Sequence, residues 1–354
     1  MFAIRFYRVY DTGHEIDLAA LEATPAAAGT TARASFVRVS PKSIWIEHPP
    51  LLVRLPPVNA TAGGTLYVLA AVARVYEIGA ISLCFVLEDA PAPAQALLPV
   101  ALSFAGQRGL DQAFLDTLAV LRDVLGPELG VRPLDTAFYE DYTVYVVDRD
   151  DPAIDPVALL AGEEIEFSES TREEVLRNTL SYTTNDRAVL AWDAALLVAP
   201  EPPADLAEVI EYAVVQVLEL RYYDRVLTLQ MQRMYDDLEA GGRFGRFRRR
   251  RGYDALLNRL METYAEVSEV TEGIENLIRI TEDVYYARVY ATALRVLRAD
   301  QWRASVDRKI DVIRENYQML SNEVNREHDN FLEWVIIVLI ALEFAFAIWE
   351  AFRA

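Results

Sequence analysis

Three histidines and one cysteine are the residues of this chain best suited to nucleophilic or metal chemistry. His14, His48 and His328 lie far apart and Cys84 stands alone, so neither a Cys/His zinc site nor an internal disulfide can be built. Carboxylate-only Mg²⁺ or Ca²⁺ sites stay open. No phosphate-cradling glycine loop (GxGxxG or GxxxxGK[ST]), no HExxH helix and no GxSxG elbow occurs. A nucleophile–histidine pair would need tertiary contact to assemble, and His48, between Glu47 and Pro49–Pro50, reads as a loop residue. The acids Glu163, Glu164, Glu166, Glu169, Glu173 and Glu174 could hold a divalent cation, but they read as a solvated loop and the acid-rich start of a helix capped by Ser170 or Thr171. Asp193, inside an apolar run, could be a functional carboxylate, although a strand edge or a turn explains it more simply. We therefore expect no catalytic residue, no cofactor, no metal and no small-molecule substrate.

Charge and hydropathy carry more. The chain has 354 residues with a formal net charge of −20, which argues against a general nucleic-acid binder, because such proteins neutralise phosphates with a basic surface. Against that background the linker Gly241–Gly252 (GGRFGRFRRRRG) concentrates Arg243, Arg246, Arg248, Arg249, Arg250 and Arg251. These six could contact anionic lipid or RNA, with Phe244 and Phe247 inserting at an interface or stacking on bases; a solvated turn or pairing with acids is the plainer reading. Near the end, Phe331–Ala354 (FLEWVIIVLIALEFAFAIWEAFRA) is apolar around a single internal acid, Glu343, and Trp334 and Trp349 bracket it as interfacial tryptophans would. As a helix, Trp334–Trp349 spans about 24 Å and Phe331–Phe352 about 33 Å, against roughly 30 Å of hydrocarbon. We expect a membrane helix marked by Phe331, Trp334, Ile336, Leu339, Glu343, Phe346 and Trp349, with Glu343 protonated or turned toward a second subunit. An apolar tail buried inside a helical oligomer is the other reading.

The elements that would position these features fall into two parts. All 16 prolines lie between Pro25 and Pro203. The proline-containing part, 1–203, reads as a mixed α/β head. Its first ten residues form a strand rather than an export or targeting signal. Short β-prone runs come next at Ser35–Val39 and Leu51–Leu55. Leu66–Val86 is long and apolar, but Arg74, Glu77 and Gly79 favour two strands joined by a tight turn over a membrane span. A helix over Leu110–Leu125, a strand at Asp141–Val147, a short helix at Asp155–Leu160 and one buried strand at Ala188–Val198 complete the head.

Beyond Pro202–Pro203 the chain turns helical. A heptad seam runs Leu206, Ile210, Ala213, Val217, Leu220, Asp224, Leu227, Met231, Met234, Leu238, broken by the acid at Asp224. Further seams start at Leu257 and at Val306, the latter continuing through Ile310, Ile313, Tyr317, Leu320 and Val324 as a candidate oligomer seam. Breaks at 241–252 and near Ala299–Trp302 would fold these helices back antiparallel. The predicted fold class is thus α+β: an α/β head (1–203), a long antiparallel coiled-coil stalk (204–330) and a C-terminal transmembrane helix (331–354).

Asp283–Tyr290 (DVYYARVY), Lys309–Leu320 (KIDVIRENYQML) and Asn322–Phe344 resemble the C-terminal region of the family typified by the "required for meiotic nuclear division" proteins. Leu332, Glu333, Trp334, Val335, Ile336 and Ile337 match that family's entry to its terminal span, Glu343 matches its span acid, and Val75–Ser82 resembles one of its strands. The resemblance covers mainly 283–344. It implies a head, a stalk, a membrane helix, oligomers and, in eukaryotic members, mitochondrial inner-membrane proteins linked to translation; it implies no catalytic residues. Together these readings predict a non-enzymatic, tail-anchored homo-oligomeric scaffold in the cytoplasmic membrane. Its partners would be itself, the bilayer and, by resemblance, a ribosome or RNA at the arginine linker. A channel-like assembly around a ring of Glu343, or a carboxylate enzyme in the head, are the alternatives.

Overall fold

Strand β1 (Phe2–Asp11) alternates so that Phe2, Ile4, Phe6 and Tyr10 face one way and Tyr7 and Val9 the other, and all of them are buried. A strand buried on both faces must lie inside a sheet covered on both sides, and β1 does. In the computed structural model the described residues are 1–23, 31–33, 44–46, 48–89, 94–126, 134–200, 204–241, 261, 279–280, 284–316, 318–319, 334 and 336–340. The chain divides into two compact units: Met1–Tyr222 with Val270–Arg303, and Tyr223–Glu269 with Ala304–Ala354.

The first unit is built on a nine-stranded mixed sheet of order β2-β4-β5-β6-β1-β7-β10-β9-β8. Its strands are β2 (Thr31–Arg33), β4 (Leu51–Ala62), β5 (Thr65–Val75), β6 (Ala80–Asp89), β7 (Tyr139–Val147), β8 (Thr179–Leu180), β9 (Arg187–Leu190) and β10 (Ala194–Val198). All neighbours run antiparallel except β7 and β10, which are parallel. A separate pair joins β3 (Ile44–Trp45) to β11 (Arg279–Ile280).

Several predicted elements are present. The run Leu66–Val86 is the β5–β6 hairpin, and Gly79 in its turn has φ +103°, where an added Cβ would come within 2.4 Å of the His14 carbonyl oxygen. The helix expected over 110–125 is α3 (Asp111–Leu125), after α1 (Leu18–Glu22) and α2 (Leu97–Ser103). The short helix near Asp155 is α4 (Pro156–Ala161), whose first turn is capped by the Asp155 carboxylate accepting from the Val157 N–H at 2.9 Å. Next comes α5 (Glu169–Leu176), capped by Ser168, two residues before the expected cap. Ala188–Val198 is two strands, not one. Ala191–Asp193 turns between β9 and β10, and the Tyr142 hydroxyl lies 2.9 Å from the carbonyl oxygens of both Ala191 and Ala194.

Helices α2, α3 and α4 cover one face of the sheet with a core that includes Phe6, Phe85 and Phe114. The other face is covered by α6 (Ala204–Gly241) and α7 (Val284–Val296). Over 205–220 every residue of α6 is buried except the half-buried Glu208. A helix buried all round is a core layer, so this segment is not a free coiled-coil stalk. In the second unit, 223–241 of α6 and the helical segment 304–316 are joined at Lys309. Its Nζ donates to the Asp224 carboxylate and the Thr228 hydroxyl, both at 2.6 Å, and Ser305 also donates to Asp224 at 2.6 Å.

The predicted fold class is corrected at its end. Among the described residues no helix is long and apolar enough to cross a membrane. Trp334 and residues 336–340 are helical. Phe331, Glu343, Phe346 and Trp349 lie outside the described residues. The α+β class holds, whereas the described residues do not contain the transmembrane helix expected at its end.

Candidate functional site

The face of the sheet beneath α6 gathers charges that a core would normally exclude. Arg74 on β5 is buried and donates to the Glu211 carboxylate at 2.7 Å and to Glu208 at 2.5 Å, both on α6. Burial opposes the Arg74 charge, yet the two carboxylates hold its pKa above the usual arginine value. Arg5, two strands away on β1, faces Tyr7 and Cys84 and is likewise raised, Tyr7 being the largest cause. The Arg74 contacts thus join the sheet to the helix layer above it.

About two turns along α6 from Glu211 a different arrangement appears. Asp11, at the end of β1, is 6% exposed and Glu219 is 1% exposed. Asp11 Oδ1 accepts the Gly13 N–H at 2.6 Å, but its Oδ2 and both carboxylate oxygens of Glu219 have no hydrogen-bond partner among the described residues. Burial pushes the Asp11 carboxyl up to about 7, against the Gly13 hydrogen bond. Glu219 is pushed well above the ordinary carboxyl range, first by burial and then by the Asp11 charge. The chain around the pair is tight: a Cβ on Gly13 (φ +74°) would lie 2.8 Å from the Tyr222 hydroxyl. Among the described residues no group of three or more His, Cys, Asp or Glu is placed to hold a metal ion.

The residues singled out in the sequence go elsewhere. Cys84 is buried, which pushes its thiol up to about 12 and removes it as a nucleophile. His14 places Nδ1 2.9 Å from the Thr12 carbonyl oxygen, His48 places Nδ1 2.7 Å from Glu77, and His328 lies outside the described residues. Asp193 sits in the β9–β10 turn, and the acids from Glu163 to Glu174 are exposed on and before α5. Of the seam, Val306 and Ile313 are buried within the chain and Ile310 is half-buried, while Tyr317, Leu320 and Val324 lie outside the described residues. Arg243, Arg246, Arg248, Arg249, Arg250 and Arg251 also lie outside them.

Asp11, Glu211 and Glu219 were not among the sequence candidates. The available signal was an acid inside an otherwise apolar helical run (VIEYAVVQVLEL), which demands a partner on the facing layer.

A second feature is apolar. Trp334, Ile336, Ile337, Val338, Leu339 and Ile340 are helical, and each is between 46% and 66% exposed. Five consecutive aliphatic residues point to every side of a helix, so no polar face remains to meet water.

A family model described as the N-terminal domain of uncharacterized protein MJ0711 matches residues 1–204. Uncharacterized protein MJ0711 of Methanocaldococcus jannaschii is 27% identical over 195 residues, which cover 54% of this chain and 58% of that protein. The match thus spans little more than half of the relative's length. No solved structure matches. These findings support a family of uncharacterized function, not the meiotic nuclear division name, whose likeness lies mainly in 283–344, beyond the matched residues. The matched segment supplies the sheet with Asp11 and Arg74, whereas Glu208, Glu211 and Glu219 lie beyond it on α6.

Proposed function

We propose that this chain, which belongs to the family of the MJ0711 N-terminal domain, is a non-enzymatic homo-oligomeric scaffold that assembles through its apolar C-terminal helix and displays several copies of the sheet domain. The observation that carries the reading is the exposure of Trp334 and Ile336–Ile340, a helical stretch whose described residues are all apolar. Contiguous exposed apolar surface of this kind marks an association surface. Covering the exposed half of each aliphatic side chain is worth about 1 kcal/mol, so two chains contribute on the order of 10 kcal/mol. That exceeds only the lower part of the ~4–15 kcal/mol cost of association, so assembly should be weak and depend on concentration over the micromolar-to-millimolar range.

Display in several copies raises the effective concentration for any weak partner of the domain. The arginines from Arg243 to Arg251 suit a phosphate-bearing partner of such an array, and changing all six to Gln would remove its binding to anionic liposomes or RNA. The likeness of 283–344 to an oligomeric family agrees with the same picture. A carboxylate enzyme is less well supported, because Asp11 and Glu219 are sealed from any substrate in solution.

The test replaces Ile336, Ile337, Leu339 and Ile340 together with Gln and measures native mass by light scattering. We expect an oligomer that falls to the 39.9 kDa of one chain. A wild-type monomer, or an unchanged oligomer in the variant, overturns the reading.

A further inference from the structure

We propose that Asp11 and Glu219 share a proton across the boundary between β1 and α6, and that this proton latches the helix to the sheet and is released on the alkaline side. The geometry leaves the two carboxyls few alternatives. Asp11 Oδ1 is occupied by the Gly13 N–H, while Oδ2 and both Glu219 oxygens are buried without a donor. A pair of buried carboxyls satisfies its oxygens best when one donates an O–H to the other, as in dyads that cannot both ionise.

The neighbouring charges are committed elsewhere. On α6 itself Arg221 pairs with Glu140 of β7 and lies over the rings of Phe138 and Trp302. Gln216 accepts from the Tyr290 hydroxyl of α7 at 2.6 Å. In the loop after β1, His14 is turned to the Thr12 carbonyl, and Thr12 donates to the carbonyls of His14 and Gly79. In the β5–β6 turn, Glu77 pairs with His48, which is exposed. Arg8 reaches Asp111 at the start of α3, on the opposite face of the sheet. Among the described residues no cation therefore compensates a second negative charge at this point.

Both carboxyls are raised in the folded chain, so it retains protons that the opened helix gives up. The latch is complete below the ordinary carboxyl range and weakens as pH rises toward and beyond 7. Each extra proton held by the closed form changes the opening equilibrium about tenfold per pH unit.

The test is hydrogen exchange of the full chain, read as protection factors for α6 amides before Tyr222 at pH 5 to 8. Wild type should lose protection on the order of tenfold per pH unit. Glu219→Gln, whose amide can donate to Asp11, should hold its protection nearly constant over the same range. A pH-independent wild type, or a decline that persists in Glu219→Gln, overturns the latch. Infrared spectroscopy of wild type at pH 6 gives a second readout that needs no folded variant. It should contain the carbonyl stretch of a buried protonated carboxylic acid, and its absence overturns the proposal equally.

Discussion

At the scale of residues, Arg74 illustrates how an expensive group is made tolerable. Burying a guanidinium is unfavourable unless carboxylates meet it in good geometry, and Glu208 and Glu211 do so from α6. Arg74→Met should therefore cost about 3–5 kcal/mol in urea unfolding, because it strands two carboxylates under the helix. Adding Glu208→Gln and Glu211→Gln should recover most of that loss. Arg74 was visible in the sequence as a charge within Leu66–Val86, where it argued against a membrane span. Its purpose was not visible, since both partners are more than 130 residues away and no local pattern links them. The same distance hid Asp11 from Glu219. Conversely, His14, His48 and Cys84 were conspicuous by type, yet in the structure they are absorbed by a local hydrogen bond, an exposed pair and burial.

At the scale of elements, legibility depended on the presence of local punctuation. The β5–β6 hairpin could be read because Gly79 interrupts two β-prone runs. Gly79→Ala combines a left-handed backbone with a 2.4 Å approach to the His14 carbonyl, so it should lower stability by about 1–3 kcal/mol, measurable as a lower urea midpoint. The β9–β10 turn has no glycine or proline, and contacts from the distant Tyr142 hydroxyl and Thr143 N–H help hold it, so the sequence reads as one strand. The parallel pairing of β7 with β10 is equally non-local. Asp224 was legible as an interruption of a heptad seam, and the structure supplies its partner. A polar contact inside an apolar seam sets register at some cost in stability. A double-mutant cycle with Asp224→Ala and Lys309→Ala should yield a coupling of about 0.5–3 kcal/mol in unfolding experiments. Independent, additive effects would mean that the contact does not hold these helices.

At the scale of the whole molecule, the end of the prolines at Pro203 does mark a change: the sheet stops and α6 begins. The first part of α6 is a second layer for that sheet, because 205–220 is buried on every side, and from Tyr223 onward the helix belongs to the other unit. Periodicity alone could not separate these, since a seam facing a sheet and a seam facing a helix repeat alike. The apolar C-terminal run was the most conspicuous feature of the sequence, and its length and tryptophans suggested a bilayer. The exposed aliphatic residues Ile336–Ile340 are the basis of the proposal that a second copy of the chain covers this surface. Sedimentation of the full chain from micromolar to millimolar concentrations in aqueous buffer tests this most directly. The account predicts a mass that rises with concentration to a whole-number multiple of 39.9 kDa, and a constant 39.9 kDa throughout would contradict it.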